Sequence, residues 1–225
     1  MLLVGACSGP KPQDQRLKLR SELLKWESFD GQGIVEISYM GLSLRKMFNV
    51  QKNKGVIRLD VFDGGIMGAG AQPLVSIFVG DYLAFQSVLP LLDSFDPFGT
   101  MPLEGLDIFA NADSMLARYG NQIIDNKALT EDNLQVQFDK GYHLQRLYIP
   151  ESNTELLASY SNKGSLQVIT MRGMENMAVK LIFDSISYTP PQIVSLPKPT
   201  KPANTLPTDI KELDMKNMLK DYIKN

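Results

Sequence analysis

The side chains able to do chemistry in this chain are few and scattered. Cys7, in the opening stretch MLLVGACSGP, is the single cysteine, and His143 is the single histidine. An imidazole that binds zinc or activates a nucleophile needs partners, and His143 has no H-x-x-x-H companion and no nearby cysteine. Its surroundings alternate apolar and polar, so it reads as part of a strand. No G-x-S-x-G elbow is present, which removes a common hydrolase signal. The glycine-rich GGIMGAG lacks the Lys-Ser/Thr of a phosphate loop and does not fit G-x-G-x-x-G. The carboxylates Asp60, Asp63, Asp81 and Asp107 are dispersed, and only the fold could bring two together as a glycosidase pair. The expectation is a protein that is not an enzyme, with no catalytic residues, no metal and no cofactor.

Two readings of Cys7 compete. A lone cysteine is often a small buried hydrophobe. Alternatively, Leu3, Val4, Gly5, Ala6 and Cys7 resemble a bacterial lipobox, in which small residues admit a signal peptidase and the cysteine thiol receives a diacylglycerol. The polar, proline-containing SGPKPQDQ that follows suits a tether. Six residues precede Cys7 and none is basic, so the signal reads as truncated.

Positioning falls to the remaining elements. A chain of 225 residues with 44% hydrophobic content and a net charge of −2 can bury one sizeable core. It lacks the basic excess that nucleic acid requires, so no nucleic-acid partner is expected. No apolar run reaches the length of a membrane span. One cysteine excludes an internal disulfide. In QDQRLKLRSELLKWESFDGQG, Leu19, Leu23 and Trp26 recur at helical spacing, as do Leu17, Arg20 and Leu24. This predicts an amphipathic helix that stops before Gly31 and Gly33 and packs on the body or lies on a membrane surface.

From Gly33 to Ser87 the period changes to two. Val35, Ile37 and Tyr39 share a face, as do Leu44, Phe48 and Val50, and Ile57, Leu59 and Val61. Leu74 to Val79 is apolar on both faces and must be covered on both or line a greasy cavity. The segment from Leu89 to Asn133 does not alternate. Within it LEGLDIFANADSMLARYG places Leu106, Phe109 and Leu116 together with Ile108, Ala112, Met115 and Tyr119 on a wide helical stripe, which marks a second helix that Gly120 should stop. Alternation returns after Asp132, with turns at Asp139-Lys140-Gly141 and Asn162-Lys163-Gly164, and runs to Tyr188. The count is about eight strands in one antiparallel sheet with helices on one side, an α+β arrangement.

Six prolines between Pro190 and Pro207 keep the next stretch extended. Residues 1–16 therefore read as truncated signal and tether, 17–188 as the folded body, and 189–225 as a proline-rich tail. The tail ends in a short helix that places Met215, Met218, Leu219, Tyr222 and Ile223 on one face. That helix either folds back on the body or docks on a protein partner.

The order of a lipobox, a tether and a first helix before GIVEISYMGLSLRKMFNVQKNKGVIRLDVFDGGIMGAGAQPLVSIFVGDYLAFQS, then a helical insert and strands ending in VKLIFDSISY, resembles the LolA/LolB-like lipoprotein carriers. The resemblance spans roughly Ser21 to Tyr188 and rests on pattern and on short stretches such as SLRKMF and VIRLDVF. It implies a strongly curved, half-closed barrel with helices covering its concave apolar face, able to bind lipid or lipoprotein acyl chains as a carrier or receptor. The same fold could serve as a non-transporting assembly platform in the envelope. The resemblance also implies a contact role for Ile66 and Met67, which fall where the family's membrane-anchored receptor carries a protruding apolar side chain; otherwise the two simply pack in a flexible hairpin. For a lipoprotein anchored through Cys7, Ser8 in place of Asp implies the outer membrane, facing the periplasm.

Overall fold

A computed structural model describes residues 12–39, 42–63, 72–88, 109–131, 133–174 and 177–198. The elements are α1 (Pro12–Glu27), β1 (Ser28–Tyr39), β2 (Leu42–Asn53), β3 (Val56–Phe62), β4 (Val75–Val79), β5 (Leu83–Ser87), α2 (Ala112–Asn126), β6 (Ala128–Glu131), β7 (Leu134–Phe138), β8 (Leu144–Ile149), β9 (Thr154–Tyr160), β10 (Leu166–Met174) and β11 (Met177–Ser187). All strands join one antiparallel sheet in the order β5-β4-β3-β2-β1-β11-β10-β9-β8-β7-β6. Two meanders are thus sewn together where the first strand meets the last. The outermost strands β5 and β6 do not pair with each other, so the sheet stays an open half-barrel. This is the expected α+β class, but with eleven strands among the described residues where the alternation gave about eight. The difference arises where strands are short: the Gly80 to Tyr82 turn divides β4 from β5, and four-residue β6 is too brief to show a period.

The first helix stops at Glu27, before Gly31 and Gly33 as expected, and the two glycines lie inside β1. A Cβ on Gly33 would sit 1.9 Å from the Ile182 carbonyl oxygen, and one on Gly31 would sit 2.5 Å from the Phe183 ring. The register between β1 and β11 shifts at Gln32/Gly33, so the glycines mark a bulge where the strands approach closely. Phe183 fills the space Gly31 leaves and meets Phe48 edge-on, with ring centroids 5.3 Å apart. The second helix begins only at Ala112, after Phe109 of the expected stripe, and Gly120 does not stop it: α2 continues to Asn126 and ends on Lys127 in the left-handed conformation. Gly120 is buried, and a Cβ there would meet Leu116 at 3.1 Å and the Arg16 guanidinium at 3.7 Å. The missing side chain leaves room for Leu116 one turn back and is not a termination signal.

The core lies between the inner face of the sheet and the helices. Leu19, Leu23 and Trp26 of α1 and Ala112, Met115 and Ile123 of α2 are buried against Val35, Phe48, Val136 and Leu181. Leu17, on the other predicted stripe of α1, is 60% exposed. Asn111 caps α2 by accepting from the Ser114 amide at 2.8 Å, and the Glu27 carboxylate accepts from the Ala112 amide at 2.7 Å. Arg20 and Asp113 join the two helices through 2.6 and 3.1 Å bonds. That pair is well exposed and contributes little beside the apolar burial.

Residues 189–198 cross the outer face of the sheet. Arg58 donates to the Val194 carbonyl at 2.8 Å, Tyr82 to that of Leu196 at 2.5 Å, and Asn53 to that of Pro191 at 3.1 Å. Leu196 is buried against Phe78 and Ala84. The extended backbone that prolines impose leaves carbonyls unpaired, and the sheet's outward side chains satisfy them.

Candidate functional site

Inward residues on neighbouring strands line up through the register. One row runs Leu44, Ile37, Val179, Met171, Leu156, Leu147, and the row nearer the helices includes Val35, Leu181 and Ile169. Burial falls between these rows. Val35, Leu181 and Ile169 are buried, whereas Ile37, Val179, Leu156 and Leu147 are half-buried and Met171 is 37% exposed. On β2 the same step runs from Val50 and Phe48, both buried, to half-buried Leu44. The helices thus seal one end of the concave face, and an apolar surface continues past them toward the opposite rim.

The surface extends sideways onto β3, β4 and β5. Ile57, Leu59 and Val61 pair across to Val79, Ile77 and Val75, which pair in turn with Leu83, Phe85 and Ser87. Apart from Ser87 these positions are apolar and half-buried. The outward residues Ser76, Phe78 and Ala84 are buried; Phe78 and Ala84 lie under the tail, while the Ser76 hydroxyl bonds Asp60. The two-faced apolar pattern from Leu74 to Val79 therefore has two causes, the strap outside and the concave surface inside.

Two lysines face inward on β2. Lys52 is buried, and its ammonium donates to the carbonyls of Glu27, Lys54 and Phe109 at 3.3, 2.7 and 3.2 Å. Burial lowers its pKa to about 8 against the pull of Glu27. It ties the end of α1, the β2–β3 turn and the approach to α2 together. Lys46 lies between Leu44 and Phe48 and forms an ion pair with Asp63, just past the end of β3. Its side chain is 15% exposed and that of Asp63 is 59% exposed.

The residues first considered for chemistry do not assemble. His143 precedes β8 and does not sit within a strand. Its Nδ1 is 2.8 Å from Asp139, its Nε2 3.8 Å from Glu22, and its ring lies 4.8 Å from that of Tyr160. Burial pushes the Asp139 carboxyl up, but hydrogen bonds from His143 and the Gly141 amide outweigh it and hold the group below the usual range. His143 braces a tight turn against α1. Asp60 accepts from Arg58 and Ser76 on the outer face. Asp81 lies in the β4–β5 turn. Among the described residues no three of His, Cys, Asp and Glu are grouped to hold a metal ion, and no helix is long and apolar enough to cross a membrane. Cys7, Ile66, Met67, Asp107 and the helix-patterned segment near the C-terminus lie outside the described residues. Lys46 and Met171 were not singled out from sequence. A charge between Leu44 and Phe48 in an alternating strand was the available signal for the first.

No family model and no curated protein matches the chain. Solved structures similar to it include the following three. One is a LolA superfamily protein from Nitrosomonas europaea, with 9% identity and a TM-score of 0.38, covering 84% of this chain and 96% of that one. A putative outer membrane lipoprotein-sorting protein domain from Vibrio parahaemolyticus shares 9% identity with a TM-score of 0.36, over 79% of this chain and 93% of its own. The third is a DUF1329 family protein from Desulfovibrio piger, with 10% identity and a TM-score of 0.30, covering 80% of this chain and 94% of that one.

Proposed function

We propose that the concave face binds acyl chains of a lipid or lipoprotein, and that the protein acts in the bacterial cell envelope as a carrier or receptor. The observation that carries this is the apolar row beyond the helices, where Leu44, Ile37, Val179, Leu156 and Leu147 are half-buried and Met171 is exposed. Transfer of an acyl chain onto such a surface needs no covalent chemistry, since each methylene removed from water contributes about 0.8 kcal/mol. Adjacent residues on opposite faces provide the test. Met171→Asp puts a charge on the inner face at an already exposed position, and Arg172→Glu changes charge at its exposed neighbour on the outer face. Displacement of a fluorescent fatty acid should weaken at least tenfold with the first variant and be unchanged with the second. Equal effects, or none, would remove the inner face as the site.

Two further parts of this reading concern residues outside the described ones. Cys7 is the lipid attachment point, holding the protein at the outer membrane facing the periplasm; Cys7→Ala should abolish incorporation of labelled fatty acid. Ile66 and Met67, between β3 and β4, contact membrane or ligand; replacing both by Asp should abolish lipid transfer while leaving the fold intact. A second reading, an assembly platform, draws on the docked strap. The strap is seated on the outer face through Leu196, and Met215, Met218, Leu219, Tyr222 and Ile223, further along the chain, would meet a protein partner.

A further inference from the structure

We propose that Lys46 recognises a phosphate headgroup, so that the preferred ligand is an anionic phospholipid and not the neutral diacylglycerol of a lipoprotein anchor. This rests on the acyl-binding reading and adds a ligand class to it. An ammonium on an inward position costs desolvation and is retained where it is paired. The two inward lysines of β2 meet that cost differently. The Lys52 ammonium is spent on three backbone carbonyls at the sealed end. Lys46 lies six positions away on β2, in register with buried Val35 and between Phe48 and the half-buried Leu44 row, and an acidic side chain answers it. That partner, Asp63, is largely in solvent while the lysine is largely covered.

The asymmetry makes the carboxylate replaceable. An exposed carboxylate stays hydrated when it parts from the lysine, so the covered ammonium can exchange it for another anion without being left unpaired. A phosphate carried by acyl chains lying along Leu44, Ile37 and Val61 would reach the ammonium from the apolar side, where screening is weak. Phosphate offers several oxygens to the Lys46 ammonium in place of the carboxylate, and the flexible stem lets the charge adjust to it. Charge complementarity and the apolar lining together specify an anionic amphiphile.

The test compares dioctanoyl phosphatidic acid, dioctanoyl glycerol and inorganic phosphate by titration against the full chain. The wild type should bind phosphatidic acid at least tenfold tighter than the glyceride, and inorganic phosphate alone weakly. Lys46→Met should lose that preference and keep the glyceride affinity. Asp63→Asn, which removes the competing carboxylate, should tighten phosphatidic acid binding several-fold. Equal wild-type affinity for both lipids, or a preference that survives Lys46→Met, overturns the assignment and leaves acyl binding standing. Inorganic phosphate binding as tightly as the lipid overturns the headgroup role in favour of a free anion. Binding of neither lipid overturns both readings.

Discussion

Lys52 should make the protein more stable as pH rises through the weakly alkaline range. Its ammonium is buried, and burial lowers its pKa from an ordinary 10.5 to about 8. A lowered lysine pKa means that the folded chain releases this proton before the unfolded chain does. The unfolded state then holds more protons between the two values, and stability rises with pH there. The penalty for the charged form is fully present below the folded value and is relieved as pH climbs past it. The linkage relation gives a gain of about 2 kcal/mol between about pH 7.5 and pH 9.5. The window closes above that because burial raises the pKa of Tyr160 and Tyr188, and stability falls once these phenols ionise in the unfolded chain. Urea unfolding at several pH values in this window measures the slope, and Lys52→Met should flatten it. That variant also leaves the Lys54 and Phe109 carbonyls without this donor, so it should be less stable at pH 9.5. A wild-type curve that is flat or falls from pH 7.5 to 9.5, or a variant with the same rise, would refute the account of this lysine.

Gly33→Ala should destabilise the fold by about 3 kcal/mol or more, because the new Cβ would collide with the Ile182 carbonyl at the bulge; thermal unfolding would show it. Leu23→Ala should cost about 2–5 kcal/mol by denaturant titration, while Leu17→Ala on the same helix should stay within about 0.5 kcal/mol. Leu196→Ala should loosen the strap from Phe78 and Ala84 and speed protease cleavage between residues 189 and 198, with the sheet's unfolding midpoint changed much less.

Long elements with one buried face were legible in the sequence. Leu19, Leu23 and Trp26 marked the helix face that packs, and Ile57, Leu59 and Val61 marked the inner face of β3. Gly120 misled, because its local reading is a stop whereas α2 runs on past it, and Gly31 and Gly33 are required by β11, a neighbour distant in sequence. Nothing local distinguishes those cases. The same limit hid the candidate site. Lys46 and Met171 are 125 positions apart in numbering and share one concave face only because β1 joins β11, a pairing of the first strand with the last. Conversely His143 lay in an alternating stretch, yet the Asp139 carboxylate takes the His143 amide and ring into a turn. The strap was anticipated as extended, but its docking depends on Arg58 and Tyr82, which only the sheet brings beneath it.

The central claim is that the concave apolar face holds acyl chains. Isolation of the chain from its native host without detergent, followed by native mass spectrometry and extraction of bound lipid, tests it most directly. The account predicts a non-covalently bound acyl lipid in near-stoichiometric amount, lost from Met171→Asp and kept in Arg172→Glu. A wild-type protein that carries no extractable acyl lipid and takes none up from added vesicles would contradict it.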